Sequence, residues 1–287
     1  MSVADPFSSR FAWPAPAKIN LFLHITGRRP DGYHELQTLF QFLDWGDRLW
    51  FQPRGDGLCR RLEGPAEVDP EQDLVVRAAR LLSQRSGAGL GVDIRIDKQI
   101  PLGSGLGGGS SDAATTLVAL NRLWNLGLPP DELAALGLRL GADVPVFLRA
   151  EAAWAEGVGE RLQAAAPEEG WLLLLCPPVA VSTAEIFSAP ALRRDTAPIR
   201  PQDWRWEDSR NDCEPITSAR YPEVAAALAW LRQRAPARMS GTGASVFGRF
   251  ADPAAARAAA AEAPAAWRPR VVRGLNRSPL AAILRGL

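Results

Sequence analysis

The chain is poor in several things, and each shortage removes a class of function. Its three cysteines, Cys59, Cys176 and Cys213, stand far apart, form an odd set and show no metal-ligand spacing. Neither a disulfide framework nor a zinc site is expected, and a reducing cytosol fits. Charge of one sign is also missing: 33 Lys and Arg stand against 32 Asp and Glu in 287 residues. A polyanion is held by an excess of cations that release its counterions, so no nucleic-acid partner is expected, although a small anionic substrate needs only a local pocket. The longest apolar stretch, Trp171 to Val181, is broken by Pro177 and Pro178. It falls short of the roughly 20 residues a membrane-spanning helix needs. The opening MSVADPFSSRFAWPAPAK lacks a basic start followed by an apolar core, which predicts no secretory leader and no membrane partner. No repeat recurs at a period of roughly 20 to 50 residues, which argues against solenoids and propellers.

What remains is ordinary globular material. A composition of 47% hydrophobic and 23% charged residues supports a folded chain. The length suits about two domains, with a boundary near residue 165 where the texture changes. Ile19 to Thr26 reads as a strand ending at Gly27 and the turn-like Arg29-Pro-Asp-Gly32. Leu36 to Leu43 and Arg48 to Gln52 read as two strands separated by a turn at Asp44-Trp-Gly-Asp47. Asp73 to Gln84 carries Leu74, Val75, Ala78, Leu81 and Leu82 at helical spacing. Val92, Ile94 and Ile96 alternate with Asp93, Arg95 and Asp97, the pattern of an antiparallel strand with one wet face. A helix is expected from Ala113 to Leu126, capped by Ser110, Ser111 or Asp112 and stopped by Gly127. Later elements are a short helix at Asp131 to Leu140, a break at Gly141 to Pro145, a strand at Trp171 to Cys176 and a helix at Pro222 to Gln233. Gly241-Thr-Gly243 makes a turn into a strand at Ser245 to Phe250, and Pro253 to Ala263 is helical.

The chemistry begins at Pro101-Leu-Gly-Ser-Gly-Leu-Gly-Gly-Gly-Ser-Ser-Asp112, with glycines at 103, 105, 107, 108 and 109. Such density lets backbone N–H groups converge without Cβ obstruction, and a following helix start favours an anion there. Phosphate is the natural ligand, with Ser104, Ser110 and Ser111 as further donors or as routes to Mg2+. A flexible surface loop is the plain alternative. A Walker A loop would end Gly-Lys-Ser/Thr, whereas this one ends Gly109-Ser110-Ser111, which excludes that class. Gly103, Gly105 and Gly108 formally satisfy G-x-G-x-x-G, but the alternating strand beforehand and Pro101 fit a dinucleotide fold poorly. Lys18 and Asn20, two apart on a strand, share one face, and Lys18 is otherwise a snorkelling surface residue. Tyr33 and His34 draw notice because the chain has two tyrosines and two histidines in all. A ring beside an imidazole can stack on a flat base and bond its edge, or simply pack as a loop aromatic beside a solvated histidine.

Lys18-Ile-Asn20, the glycine loop, Gly141-Ala-Asp-Val-Pro145 and Ser240-Gly-Thr-Gly-Ala244, in this order over nearly the whole chain, resemble the GHMP kinases. Within that superfamily, Pro16 to Leu23 followed by Gly27 to His34 is similar to the branch whose acceptor is a cytidine diphosphate sugar alcohol. The resemblance implies a two-domain α+β fold. Residues 1–165 would form a ribosomal-protein-S5-domain-2-like domain and residues 166–287 a ferredoxin-like domain, with the active site in the cleft between. It implies ATP, with Mg2+ accompanying the nucleotide, and phosphoryl transfer to an alcohol. Asp143 would accept or orient the proton of the attacking hydroxyl, and Lys18 would hold that carboxylate and the developing charge. Lys98, Pro101, Leu102, Gly103, Ser104, Gly105, Leu106, Gly107, Gly108, Gly109, Ser110 and Ser111 would hold the nucleotide. Asn20, Tyr33, His34 and Phe187 would hold the acceptor, the last three around its cytosine. Gly241-Thr-Gly243 would pack behind the glycine loop. Asp73 departs from the asparagine the family has there, near the purine. No metal-ligand set is read, and oligomeric state is left open, a homodimer included. His24 is expected to be structural, Arg193, Arg194 and Arg200 to form a solvated face, and Trp204 and Trp206 to pack. The rivals are another GHMP kinase acting on homoserine, mevalonate or a sugar, a nucleotide-binding regulator without catalysis, and a dinucleotide-dependent oxidoreductase.

Overall fold

The computed structural model describes residues 11–284. The first ten residues, part of the segment read above for a leader, lie outside them. In chain order the elements are β1 (Trp13–Arg28), β2 (His34–Arg54), β3 (Cys59–Glu63), α1 (Leu74–Ser86), β4 (Gly91–Asp97), α2 (Gly108–Leu123), α3 (Pro130–Leu138) and α4 (Val144–Arg149). There follow β5 (Ala153–Glu156), β6 (Arg161–Ala164), β7 (Trp171–Leu175), α5 (Thr183–Ser188), α6 (Glu214–Arg220) and α7 (Pro222–Arg232). The chain closes with β8 (Ala237–Met239), β9 (Val246–Phe250), α8 (Pro253–Glu262), β10 (Arg270–Leu275) and α9 (Ala281–Leu284). Residue 165 lies between β6 and β7.

The strands join in the order β3-β4-β2-β10-β7-β9-β8, with β1 also on β2 and β5 linking β2 to β6. Most pairings are antiparallel, while β3 runs parallel to β4. Three buried clusters sit on this sheet. One packs α1, α2, α3 and α4 on β1, β2 and β4 around Phe40, Phe42, Val118 and Phe147. A second packs α5, α7 and α8 on β7 and β9. Ile19, Phe22, Leu43, Leu174 and Phe247 form a third, which draws on both halves of the chain and joins them. Leu280 returns from the far C-terminus into the first cluster, so neither half buries its core with local sequence alone.

Three expectations change. Asp44 to Asp47 is not a turn: β2 runs through it as one strand of 21 residues. A bulge in β1 between Pro16 and Lys18 faces this stretch. At Gly46 an added Cβ would lie 2.2 Å from the Ala15 carbonyl oxygen, so glycine serves close strand approach there. Asp47 is spent as an acceptor for the backbone N–H groups of Gln99 and Ile100 at 2.6 and 2.8 Å. The helix after the glycine loop also starts earlier than its propensities suggest, at Gly108, with Gly107 as its N-cap at φ 72°. Ser110, Ser111 and Asp112 lie inside its first turns and cap nothing. Burial of Ala113, Ala114, Leu117 and Val118 against the sheet outweighs the poor helix propensity of the glycines.

Asp93 on the side of β4 expected to be wet is buried and bridged by Arg54 and Arg60. Trp206 packs as expected, with the Arg238 guanidinium 3.9 Å from its ring centre. Arg238 is itself buried, and burial brings its pKa down to about 10. It donates to the carbonyls of Leu21, Trp206 and Ser209 and to Ser209 Oγ. Arg238→Leu strands those acceptors, and its unfolding free energy should fall by about 3 kcal/mol or more. A denaturant titration checks this; a midpoint equal to the wild type would show the network to be dispensable.

Candidate active site

The loop between β4 and α2 is built for an anion. Gly103, Gly105 and Gly107 hold φ of 61°, 74° and 72°, a left-handed alternation that turns successive N–H groups to one side. The carbonyls from Gly103 to Gly107 all accept bonds from the protein, including Val181 and Ala244 N–H on Gly103, Ser245 N–H on Ser104 and Lys18 N–H on Leu106. No backbone N–H from Gly103 to Ser110 makes a hydrogen bond among the described residues. The loop thus spends its acceptors inward and leaves its donors for a ligand, at the positive end of a 16-residue helix.

Lys18 leaves β1 toward this loop. Its Nζ donates to Asn20 Oδ1 at 2.7 Å and to the Gly105 carbonyl at 3.3 Å, and lies 3.3 Å from Asp143 Oδ2. Asn20 passes the constraint on, giving Nδ2 to Thr38 Oγ1 at 2.8 Å and its backbone N–H to Ser240 Oγ at 3.1 Å. Ser240 Oγ in turn donates to the Gly105 carbonyl at 2.9 Å. The lysine is buried at 3% exposure, and this ring of partners makes its charge tolerable there. Asp143 stands at the N-cap position of α4 but accepts no bond from that helix. Its carboxylate, 35% exposed, lines the cavity and has no side-chain partner but Lys18 among the described residues.

Lys98 is more tightly held than the sequence suggests. Its Nζ lies 2.6 Å from both Asp47 Oδ2 and Asp112 Oδ2. Burial opposes its charge, but the two carboxylates outweigh that and raise its pKa. Burial pushes the Asp112 carboxyl up to about 8, with Lys98 opposing and Asp47 adding to the rise. Lys98 thus reaches the cavity already bridged to two acids, bracing the floor of the loop beneath Gly108.

Tyr33 and His34, ahead of and at the start of β2, face Phe187 of α5 across the same cavity. The His34 and Phe187 rings stack at 5.1 Å and 30°, while Tyr33 is 65% exposed. His34 Nε2 accepts from Arg194 Nε at 2.9 Å. Burial, and then Arg194 and Arg28, lower the His34 pKa.

These groups line one cavity of about 880 Å³, within the range of small-molecule sites. It gathers Lys18, Asn20, Tyr33, His34, Lys98, Pro101 to Gly105, Gly107 to Ser110, Asp143 and Phe187. Leu106 and Ser111, expected on the nucleotide, are not on its wall. Leu106 is fully buried in the central core, and Ser111 Oγ is turned to the Pro16 carbonyl at 2.7 Å. Leu106 precedes the helix and its apolar side chain is drawn into the core, while Ser111, inside the first turns of α2, lies on the helix face turned to β1. Asp73 is occupied by Arg61 at 2.6 Å and by capping Val75 N–H at 3.1 Å. His24 is buried and its Nε2 accepts from the Arg210 backbone N–H, in keeping with a structural role. Arg193 and Arg200 are exposed and pair with Asp195 and Asp203, but Arg194 is not a solvated residue. Sequence reasoning missed Arg194, Asp47 and Asp112. The acid inside the loop's own helix was the one readable signal among them. A second concavity, about 630 Å³ beside Trp204 and Trp206, has its Arg249 and Arg273 paired to Glu168 and Glu169.

The family described as GHMP kinases N terminal domain matches residues 73–151, and GHMP kinases C terminal matches residues 200–269. A protein of Alkalilimnicola ehrlichii named 4-diphosphocytidyl-2-C-methyl-D-erythritol kinase is 59% identical over 274 residues, covering 96% of this chain and 94% of its own. One of the same name from Halorhodospira halophila is 54% identical, covering 93% and 94%. A crystal structure of 4-(cytidine 5'-diphospho)-2C-methyl-D-erythritol kinase superposes with a TM-score of 0.81 at 36% identity, over 92% of this chain and 99% of the other. The mevalonate kinase of Methanococcus jannaschii shares the fold at 14% identity and a TM-score of 0.65, over 95% and 100% of the two chains.

Proposed function

This chain belongs to the GHMP kinase family, and from that premise we propose that it moves the γ-phosphoryl group of ATP to the 2-hydroxyl of 4-diphosphocytidyl-2-C-methyl-D-erythritol. That step belongs to the non-mevalonate route to isoprenoids. The observation that carries the reading is the convergence, in one cavity, of the free N–H groups of the glycine loop, the Lys18–Asp143 pair and the His34–Phe187 stack. The loop supports the triphosphate end. Tyr33, His34 and Phe187 wall a place for the flat cytosine. Between them Asp143 is presented to the acceptor hydroxyl.

In the step itself the hydroxyl proton passes to, or is oriented by, Asp143 while the hydroxyl oxygen bonds to the γ-phosphorus. The bond from that phosphorus to the β-phosphate oxygen breaks, and ADP leaves. Lys18, fixed by Asn20 and the Gly105 carbonyl, supplies positive charge at the transferring group without reorganising. Catalysis here is positioning plus charge stabilisation, with no covalent enzyme intermediate. We infer that Mg2+ would accompany the nucleotide, with the Ser104 and Ser110 hydroxyls on the cavity wall as the groups able to hold it, and would offset charge on the phosphates. The pairing of Lys18 with Asp143 speaks against a regulator that binds ATP without turnover. For location we propose the cytosol, which three free cysteines suit.

The test is a substrate panel with ATP and Mg2+. ADP release is expected with the cytidine diphosphate acceptor and not with homoserine, mevalonate or galactose, and the product mass should rise by one phosphoryl group. Equal turnover of any of the other three would overturn the assignment.

A further inference from the structure

His34 and Arg194 lie 160 residues apart in sequence and meet with Arg194 Nε 2.9 Å from His34 Nε2. A guanidinium only donates. Nε2 must therefore be the bare acceptor nitrogen of the ring, and the ring's single proton must sit on Nδ1. The other His34 nitrogen has no protein partner among the described residues, and His34 lines the cavity. The ring thus offers a ligand one donor and no acceptor.

Arg194 is itself fixed. Its Nη1 donates to the Leu192 carbonyl at 2.9 Å, and its Nη2 to the carbonyls of Phe187 and Ala189 at 3.0 and 2.9 Å. No carboxylate lies within salt-bridge distance of it among the described residues, and burial of the ring, then the charges of Arg194 and Arg28, disfavour a second proton on His34. The same guanidinium ties down the backbone of Phe187, the ring stacked on His34 at 5.1 Å. One side chain therefore sets both the tautomer of the edge-reading group and the position of the wall beside it.

We propose that Arg194 is a positioning residue for base selection, holding His34 as the neutral Nδ1–H tautomer so that the site accepts a pyrimidine with a bare ring nitrogen and rejects one with an N–H there. Cytosine presents an acceptor at N3, whereas uracil presents a donor. Two donors facing each other leave both unpaired in a partly buried site, which is where discrimination is strongest. The choice of base rests on the function proposed above; the tautomer does not.

The experiment has two arms for that reason. In ligand-free wild-type protein, long-range 15N–1H spectra of the ring nitrogens should show both histidines protonated at Nδ1, because His24 Nε2 also accepts, from the Arg210 N–H. Arg194→Met should change one of the two patterns, the one absent from His34→Asn, toward Nε2–H. A wild-type His34 found protonated at Nε2, or a pattern unmoved in Arg194→Met, overturns the proposal even if the variant enzyme is unstable. In the kinetic arm, Arg194→Met should raise KM for the cytidine substrate about tenfold with kcat nearly unchanged. It should also erase the wild-type preference over the uridine analogue. An unchanged preference overturns the role in selection. No turnover of either substrate by the wild type would instead count against the proposed function, with the tautomer spectrum still deciding the role of Arg194.

Discussion

Asp143→Asn should lower kcat by about a hundred- to ten-thousandfold, the range over which a positioned base contributes. Asparagine keeps the size of the side chain and can still accept from Lys18, which lies 3.3 Å away. It cannot take a proton. Because Asp143 makes no bond to its own helix, the substitution removes no cap, and stability should change little. ATP binding should also persist, since the loop's donors are backbone groups that the change leaves in place. Steady-state kinetics with ATP titrated against saturating acceptor separates these claims. A variant with wild-type turnover would remove Asp143 from the chemistry, and a variant with weakened ATP binding as its main defect would make it a structural residue of the loop.

Gly105→Ala should be nearly as damaging, for a different reason. A Cβ there would lie 2.3 Å from the Ser240 carbonyl oxygen and 2.8 Å from that of Gly243. Both obstacles are backbone, so no side chain can swing aside. The left-handed φ of 74° adds about 1–2 kcal/mol of strain for any residue with a Cβ. Relief requires the loop to part from the Ser240–Ala244 turn, and the Gly105 carbonyl then loses Ser240 Oγ and Lys18 Nζ together. Displacement on the order of 1 Å is enough to cost about a hundredfold in kcat/KM for ATP. Gly109→Ala is the matched control: its Cβ would meet only Leu74 Cδ1, at 3.5 Å, and nucleotide binding should survive. If both alanines behave alike, the tight packing of the loop against the second glycine turn is not what holds it in place.

The contrast between those two glycines shows how far the sequence could be read. Both sit in the same cluster and carry the same composition signal. Only the contact with a turn more than a hundred residues away separates the glycine with no room for a Cβ from the one with room. Strands and helices with regular patterns were legible: Leu74 to Leu82 at helical spacing became α1, and the alternation from Val92 to Ile96 became β4. Asp44 to Asp47 misled because turn-forming residues also serve bulges and anchors, and nothing local says which. The start of α2 misled because glycine propensity disfavours a helix that tertiary burial of its alanines and leucines nevertheless imposes. Arg194 carried no signal at all, being one arginine in a stretch rich in proline and arginine.

The sequence by itself determined the kind of chemistry. Short ordered motifs set backbone freedom at the glycine loop, place Lys18 and Asn20 on one face of a strand, and put Asp143 in a break between segments, all through preferences that act over a few residues. The tertiary structure alone decided the electrical state of the site. It determined that the loop's carbonyls are spent and its N–H groups free, that Lys98 is bridged to two buried acids, and that a distant guanidinium selects the tautomer of His34. Those outcomes depend on which groups meet after the chain closes and on how little water remains between them. Burial and partner distance set them, and neither is written in any local stretch of residues.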